Sequence, residues 1–268
     1  METFAFAFAI GSCVTGNSID GIFVKGSCVS EEKTEELVTI FKPASLNIDM
    51  TRGWITKQRY MIDRIKRNPY FIGPTFESNW LIRKSAFSVT ACAMGAFAVG
   101  GYPDTPHQLQ DLKNAGLETF VCLNSEYGNM VKGEYFRPYG NSLSKANFIH
   151  EPIDDMETVK DETVIALAEK IVERLLRGES VYLHCAGGHG RTGTVALVVL
   201  HMLYPKLNEL ELFEFIQYAH DQRRGNYFGP KKFVGRMIAD PVAHQFASGQ
   251  VPSPQTLEQR DQVRRIIK

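Results

Sequence analysis

Apolar positions along the chain change period, and the change separates helices from strands. Residues 161–179, DETVIALAEKIVERLLRGE, put Val164, Leu167, Ala168, Ile171 and Leu175 on one stripe. That is the spacing of an amphipathic helix, and Gly178 closes it. Residues 105–116, TPHQLQDLKNAG, predict a second helix with Thr105 as cap, Pro106 at the first position and Gly116 as stop. Residues 192–204, TGTVALVVLHMLY, are apolar nearly all round, so that helix is expected to be buried. NELELFEFIQYAHDQRRG (208–225) makes a further amphipathic helix. From FESNWLI (76–82) onward short apolar runs sharpen, and FAVGGYPD (97–104) ends in turn signals. ETFVCLN (118–124), NFIHEPI (147–153) and SVYLHC (180–185) read as strands, the last followed by the turn GHGR.

Strands alternating with helix-length crossovers predict an α/β fold with a largely parallel central sheet flanked by helices. Ligands in such folds sit at the carboxyl ends of the strands, where Cys185 falls. The first 75 residues read differently. FAFAFAI (4–10) and SIDGIFVKG (18–26) suggest short strands, EEKTEELVTIF (31–41) a helical turn, and RGWITKQRYMIDRIKRNP (52–69) a basic amphipathic helix. Its basic positions Lys57, Arg59, Arg64, Lys66 and Arg67 are read as a solvated face. Residues 1–75 are therefore set apart as an N-terminal extension and 76–268 as the main domain. Near the end, the polar tract HQFASGQVPSPQT (244–256) separates the body from a final basic helix, LEQRDQVRRIIK.

Composition narrows the class. The 268 residues hold thirty basic and thirty acidic side chains, so a basic field for nucleic acid is not indicated. Cys13, Cys28, Cys92, Cys122 and Cys185 are odd in number and form no CxxC pair. This argues against a zinc module and a disulfide framework and for free thiols in a reducing compartment. Glu2 and the lack of a basic start argue against a secretory signal in METFAFAFAI. VALVVLHML is too short to span a membrane. The expected location is the cytoplasm, with the nucleus also open.

The stretch VYLHCAGGHGRTG then raises a chemical question, because a glycine-rich turn between strand and helix cradles anions without needing a thiol. Cys185 at the strand end sees loop N–H groups and the positive end of the helix dipole, and both favour thiolate. Gly187, Gly188, Gly190 and Gly193 let the backbone curl, and Arg191 at the exit offers a planar fork for two phosphate oxygens. Thr192 is placed to donate a hydrogen bond to the thiolate, and His184 to shape its field from behind. As zinc ligands, His184, Cys185 and His189 match no closed site, so neither a metal nor another cofactor is expected.

HCAGGHGRTG resembles the signature loop of the cysteine-dependent protein tyrosine phosphatase superfamily, His-Cys-x5-Arg-Ser/Thr-Gly, and the flanks resemble its dual-specificity-like branch. The likeness runs from about Phe76 to Ile267. It implies a nucleophile at Cys185, a phosphate cradle from Ala186, Gly187, Gly188, His189 and Gly190, and Arg191 as clamp. It also implies a general acid on an upstream loop. HEPIDDMETV resembles the family's acid loop, and alignment on Pro152 and Ile153 makes Asp155 the acid and Asp154 its competitor. SPQTLEQRDQVRRI resembles the late water-positioning motif, with Gln255 in that role and Gln259 beside it. His189 departs from the small or apolar residue often found at its position. In lipid-directed relatives a basic residue there helps bind extra phosphates.

The expectation is a cysteine-dependent phosphomonoesterase acting on phosphotyrosine, with phosphoserine and phosphothreonine open, in protein substrates. The first rival is a phosphoinositide or inositol phosphate phosphatase, and the second a catalytically weak phosphate-binding adaptor. EYFRPYG and AHDQRRG are candidates for a substrate groove, with packing the favoured role.

Overall fold

The computed structural model describes residues 69–83, 94–128, 136–224 and 252–268. The strands and helices read within residues 1–68 lie outside these, as do Cys13, Cys28 and Cys92. Five strands form one sheet: β1 (Ser78–Ile82), β2 (Phe97–Gly100), β3 (Thr119–Asn124), β4 (Phe148–Ile153) and β5 (Val181–His184), in the order β1-β2-β5-β3-β4. β1 runs antiparallel to β2 at one edge, and every other pairing is parallel. The largely parallel α/β reading therefore holds. β5 inserts between β2 and β3, so the cysteine loop leaves from the middle of the sheet.

Strands β2, β3 and β5 are buried on both faces and alternate between two cores. Phe97, Val99, Val121, Leu123, Val181 and Leu183 enter the larger one. Ala98, Phe120, Cys122 and Tyr182 face the smaller, aromatic-rich one. Against the aromatic face lies α1 (Pro106–Asn114), started by a capping box in which Thr105 and Gln108 exchange bonds and stopped near Gly116 at φ +84°. The larger core is closed by α2 (Asp161–Leu176), α3 (Gly190–Leu203), α4 (Glu209–Asp221) and α5 (Leu257–Ile266). All five stripe positions of α2 are buried. In α3 nearly every residue is buried, because the helix lies among β2, β5, α2, α4 and α5.

Three boundaries differ from the sequence reading. α3 begins at Gly190, not after the GHGR turn, so Arg191 sits on its first turn. Phe71, upstream of the boundary drawn at 76, is fully buried and packs edge-on to Phe215 and Tyr218. The end of the polar tract does not hold the last helix apart. Ser253 Oγ donates to the His189 carbonyl at 3.0 Å, and Val263 of α5 is fully buried in the larger core.

Leu197 in α3 is fully buried, whereas Leu210 at the start of α4 is 40% exposed. Leu197→Ala should cost about 2–5 kcal/mol by leaving a cavity that close packing cannot refill. Leu210→Ala should stay within about 0.5 kcal/mol. Urea unfolding of the two variants checks the difference.

Candidate active site

The parallel register brings the carboxyl ends of β2, β5, β3 and β4 to one edge, and the chemistry follows at once in each chain direction. Gly101 comes directly after β2, Cys185 directly after β5, Glu126 two residues after β3 and Asp155 two residues after β4. The Cys185 loop then turns into α3, whose first-turn N–H groups have no partner within the helix. Gly188 has φ +72°, and a Cβ on it would lie 2.2 Å from the Gly100 carbonyl group. No other residue fits where the loop crosses β2. Its neighbour Ala186 accepts from Tyr102 N–H at 2.9 Å, tying the loop to the chain after β2.

Arg191 is 2% exposed, and both terminal nitrogens of its fork have partners. Nη1 donates to Glu126 Oε2 at 3.1 Å and to the Ile153 carbonyl at 2.8 Å, while Nη2 donates to Asp155 Oδ1 at 2.8 Å. Burial works against its charge, but Cys185, Asp155 and Glu126 outweigh that and hold its pKa above the usual arginine value. Glu126 shows the converse. Burial disfavours its charge, yet Arg191, its own backbone N–H and the Asn124 amide hold its carboxyl below the ordinary range. Cys185 is buried and unpaired. The other described thiol, Cys122, is buried on β3, which pushes it up to about 12 and leaves it protonated.

Below the loop two buried side chains hold its carbonyls. Arg223 donates to the Gly187 carbonyl at 3.2 Å, to the Gly188 carbonyl at 2.8 Å, and through Nε to Asn79 Oδ1 at 2.6 Å. Burial lowers its pKa to about 10, so it stays charged at neutral pH. His184 pairs its Nδ1 with the Cys185 carbonyl at 3.3 Å and its Nε2 with the Tyr139 hydroxyl. One neutral tautomer satisfies both contacts: Nδ1–H donates and Nε2 accepts. Burial pulls this imidazole down to about 3, so it contributes no positive charge.

Several site expectations can be placed. Asp155 reaches Arg191, whereas Asp154 uses its carbonyl to accept from Glu157 N–H in the turn after β4. Gln255 and Gln259 stand in a segment laid against the loop: a Cβ on Gly190 would meet Gln259 Oε1 at 2.5 Å. Gln259 Oε1 is already occupied by the Gln255 and Thr256 N–H groups, and its Nε2 by the Glu157 carbonyl. It therefore braces the segment that carries Gln255. Two expectations are corrected. Thr192 makes no hydrogen bond to Cys185, its buried hydroxyl having no partner. His189 does not face a second phosphate; its ring is buried and pairs through Nδ1 with His220 Nε2 at 2.7 Å.

Glu126, Asn79, Tyr139 and Arg223 went unassigned in the sequence. Glu126 had a usable signal, an acidic residue just past the carboxyl end of a buried strand. Tyr139 and Arg223 lie in the aromatic and basic stretches read mainly as packing and solvated faces, yet Tyr139 meets His184 and Arg223 meets the loop carbonyls. Among the described residues no group of three or more His, Cys, Asp and Glu side chains is placed to hold a metal ion. None of the described helices is long and apolar enough to cross a membrane.

Residues 89–215 match the family model described as Swiss Army Knife protein, DSP-PTPase phosphatase domain. Over that region, just under half of the chain, the sequence is similar to the dual-specificity-like branch of the cysteine-based protein tyrosine phosphatases. It is 35% identical over 129 residues to 067L of Invertebrate iridescent virus 3, covering 46% of this chain and 50% of the viral protein. It is 35% identical over 157 residues to 197R of Invertebrate iridescent virus 6, covering 54% and 55%. Both carry tyrosine phosphatase in their names, and the chain spans about half the length of each. Among solved structures it is similar to Tk-PTP in the active form, at 22% identity over 65% of this chain and 92% of that one, with a TM-score of 0.43.

The buried imidazoles make stability pH-dependent. Burial holds His189 and His220, like His184, well below the ordinary histidine range. The unfolded chain takes up a proton on each as pH falls through about 6.5 while the folded state does not, so acid favours unfolding. Each costs roughly 1 kcal/mol between pH 7 and 5.5. Asp221 works the other way. Burial pushes its carboxyl up to about 7, so the folded state gains that proton and recovers roughly 1–2 kcal/mol over the same interval. Urea unfolding should show a net loss from pH 7 to 5.5 that becomes steeper in Asp221→Asn. A flat wild-type profile, or a shallower one in the variant, contradicts this assignment of protons.

Proposed function

We propose that the chain is a phosphomonoester hydrolase that works through a cysteinyl-phosphate, with phosphotyrosine in proteins as its favoured substrate. The observation that carries this reading is the Arg191 guanidinium, which joins the Asp155 carboxylate, at 2.8 Å, to the loop that begins at Cys185. Nucleophile, anion clamp and proton donor thus share one edge of the sheet. The Cys185 thiolate attacks phosphorus, the S–P bond forms and the P–O bond to the leaving group breaks. Asp155, protonated, gives its proton to the departing oxygen. Arg191 and the first-turn N–H groups of α3 stabilise the three equatorial oxygens, so the charge of the transition state needs no further cation. In the second step Asp155 takes a proton from water, the hydroxide oxygen bonds to phosphorus, and sulfur leaves as thiolate. Gln255 is the candidate to place that water.

The phosphoinositide reading loses the support that His189 offered, because its ring is turned into the core. The adaptor reading asks for a broken constellation, and Cys185, Arg191 and Asp155 are all present. A phosphorylated protein is the proposed partner. The cytoplasm is the proposed location, since the thiol must stay reduced to act. No nucleic-acid partner is proposed.

Cys185→Ser should abolish turnover of a phosphotyrosine peptide while leaving peptide binding measurable. Asp155→Ala should slow turnover about 10²–10⁴-fold, most with poor leaving groups, and Asp154→Ala by much less. Equal effects of the two aspartate variants would exclude Asp155 as the acid.

Specificity is tested by comparing kcat/KM for that peptide with kcat/KM for short-chain phosphoinositides. The peptide should be preferred; a preference of about a hundredfold for the lipid, or 2.7 kcal/mol in transition-state binding, overturns the substrate reading.

A further inference from the structure

The His189 ring belongs to a closed circuit of buried hydrogen bonds. His189 Nδ1 meets His220 Nε2 at 2.7 Å, and His220 Nδ1 meets Asp221 Oδ1 at 3.3 Å. The same Asp221 oxygen accepts from Gln217 Nε2 at 2.9 Å. Gln217 Oε1 accepts from Ser253 N–H at 2.8 Å, and Ser253 Oγ returns to the His189 carbonyl at 3.0 Å. Five residues from three separated segments therefore close on one residue of the phosphate loop. Four of them are buried, His189 and Ser253 at 6% and His220 and Gln217 at 2% exposure, and the Asp221 side chain is 8% exposed.

With Asp221 ionised, the circuit has one consistent proton arrangement. Asp221 Oδ1 is an acceptor, so His220 donates through Nδ1–H. His220 Nε2 is then the acceptor, and His189 must be the Nδ1–H tautomer. The ring position is equally determined, because a Cβ on Gly187 would lie 2.5 Å from His189 Cδ2 and 2.6 Å from Nε2. The imidazole is folded back across the Gly187 backbone, inside its own loop. His189 is also the residue at which cradle becomes clamp: its carbonyl accepts from Gly193 N–H at 3.0 Å to start α3, and Arg191 follows two residues later.

We infer that His220 is a positioning residue for the reaction proposed above, holding the His189 ring from α4 so that the loop N–H groups and Arg191 keep one geometry about the phosphate. It touches no reacting atom. Its effect passes through His189 to the backbone, where errors of a fraction of an ångström cost rate more than affinity. Arg223 grips the Gly187 and Gly188 carbonyls from the same end of α4, so this short segment controls three consecutive loop residues.

Two polar variants isolate the contact. In His220→Gln the longer side chain can present its carbonyl oxygen where Nε2 stood. In His220→Asn the amide can still donate to Asp221 but cannot reach His189. Both are assayed as full chains with p-nitrophenyl phosphate, and the pH midpoint of Cys185 alkylation by iodoacetate is measured, with Cys185→Ser subtracting the other thiols. His220→Asn should lower kcat roughly 10- to 100-fold with KM changed by less than about threefold. Its alkylation midpoint should rise by about one pH unit as the loop dipoles lose their aim. His220→Gln should recover most of both. Wild-type kcat and midpoint in His220→Asn, or a Gln variant no better than Asn at equal thermal stability, overturns the role given to His220. If the wild-type chain hydrolyses no p-nitrophenyl phosphate, the phosphatase reading fails instead, and the alkylation midpoints still decide whether His220 governs the loop.

Discussion

A guanidinium buried to 2% exposure must find acceptors for its donors, and Arg191 finds them at the ends of two different strands. Glu126 comes after β3, while the Ile153 carbonyl and Asp155 come at and after β4. Arg191 itself enters on the helix that follows β5. An uncompensated charge here would cost several kcal/mol, so the three strands must keep their parallel register for the arginine to be buried at all. The site is in this sense a condition on the sheet. A slip of one residue between β3 and β5 would exchange the two cores and take Glu126 away from Arg191.

The second constraint is that the loop must be held without filling it. The Cys185, Gly187 and Gly188 carbonyls are taken by His184 and Arg223. Arg223 and Arg191 both act electrostatically on Cys185, one from beneath the loop and one from its exit. The three buried imidazoles of the neighbourhood stay neutral. Positive charge at the thiol thus comes from two guanidinium groups, which burial cannot easily deprotonate, and not from histidines, which it can. This division keeps the field at Cys185 steady across the pH range in which histidines ordinarily titrate.

Most of the fold was legible because local and global signals agree. The Thr105 cap, the Gly116 and Gly178 stops and the α2 stripe each survive into the structure at their own positions. The cysteine–arginine spacing was legible for the same reason, since strand, turn and helix are contiguous in the chain. The partners of that motif were not. Glu126 lies 65 residues from Arg191 and Asn79 144 residues from Arg223, and no periodicity relates them. His189 misled for a physical reason. A basic side chain in an anion loop looks like a ligand until its partner His220, 31 residues on, turns it inward. Likewise, a Ser-Pro tract reads as a linker unless Ser253 is known to bond the His189 carbonyl.

The two carboxylates on Arg191 are not equivalent, and the difference bears on how a phosphate would enter. The Glu126 side chain is 10% exposed and also holds Asn124, whereas the Asp155 side chain is 61% exposed. Displacing Glu126 would strand a buried carboxylate; displacing Asp155 moves an already hydrated one back into water. Under the phosphatase reading, a phosphate dianion therefore takes the Nη2 position from Asp155 and leaves Glu126 in place. Arg191 keeps one permanent counter-ion and one exchangeable one. The exchange releases Asp155 beside the bound phosphate, where, once protonated, it can serve the leaving oxygen. Under that reading, the Arg191–Asp155 ion pair is also the device that delivers the acid when phosphate binds.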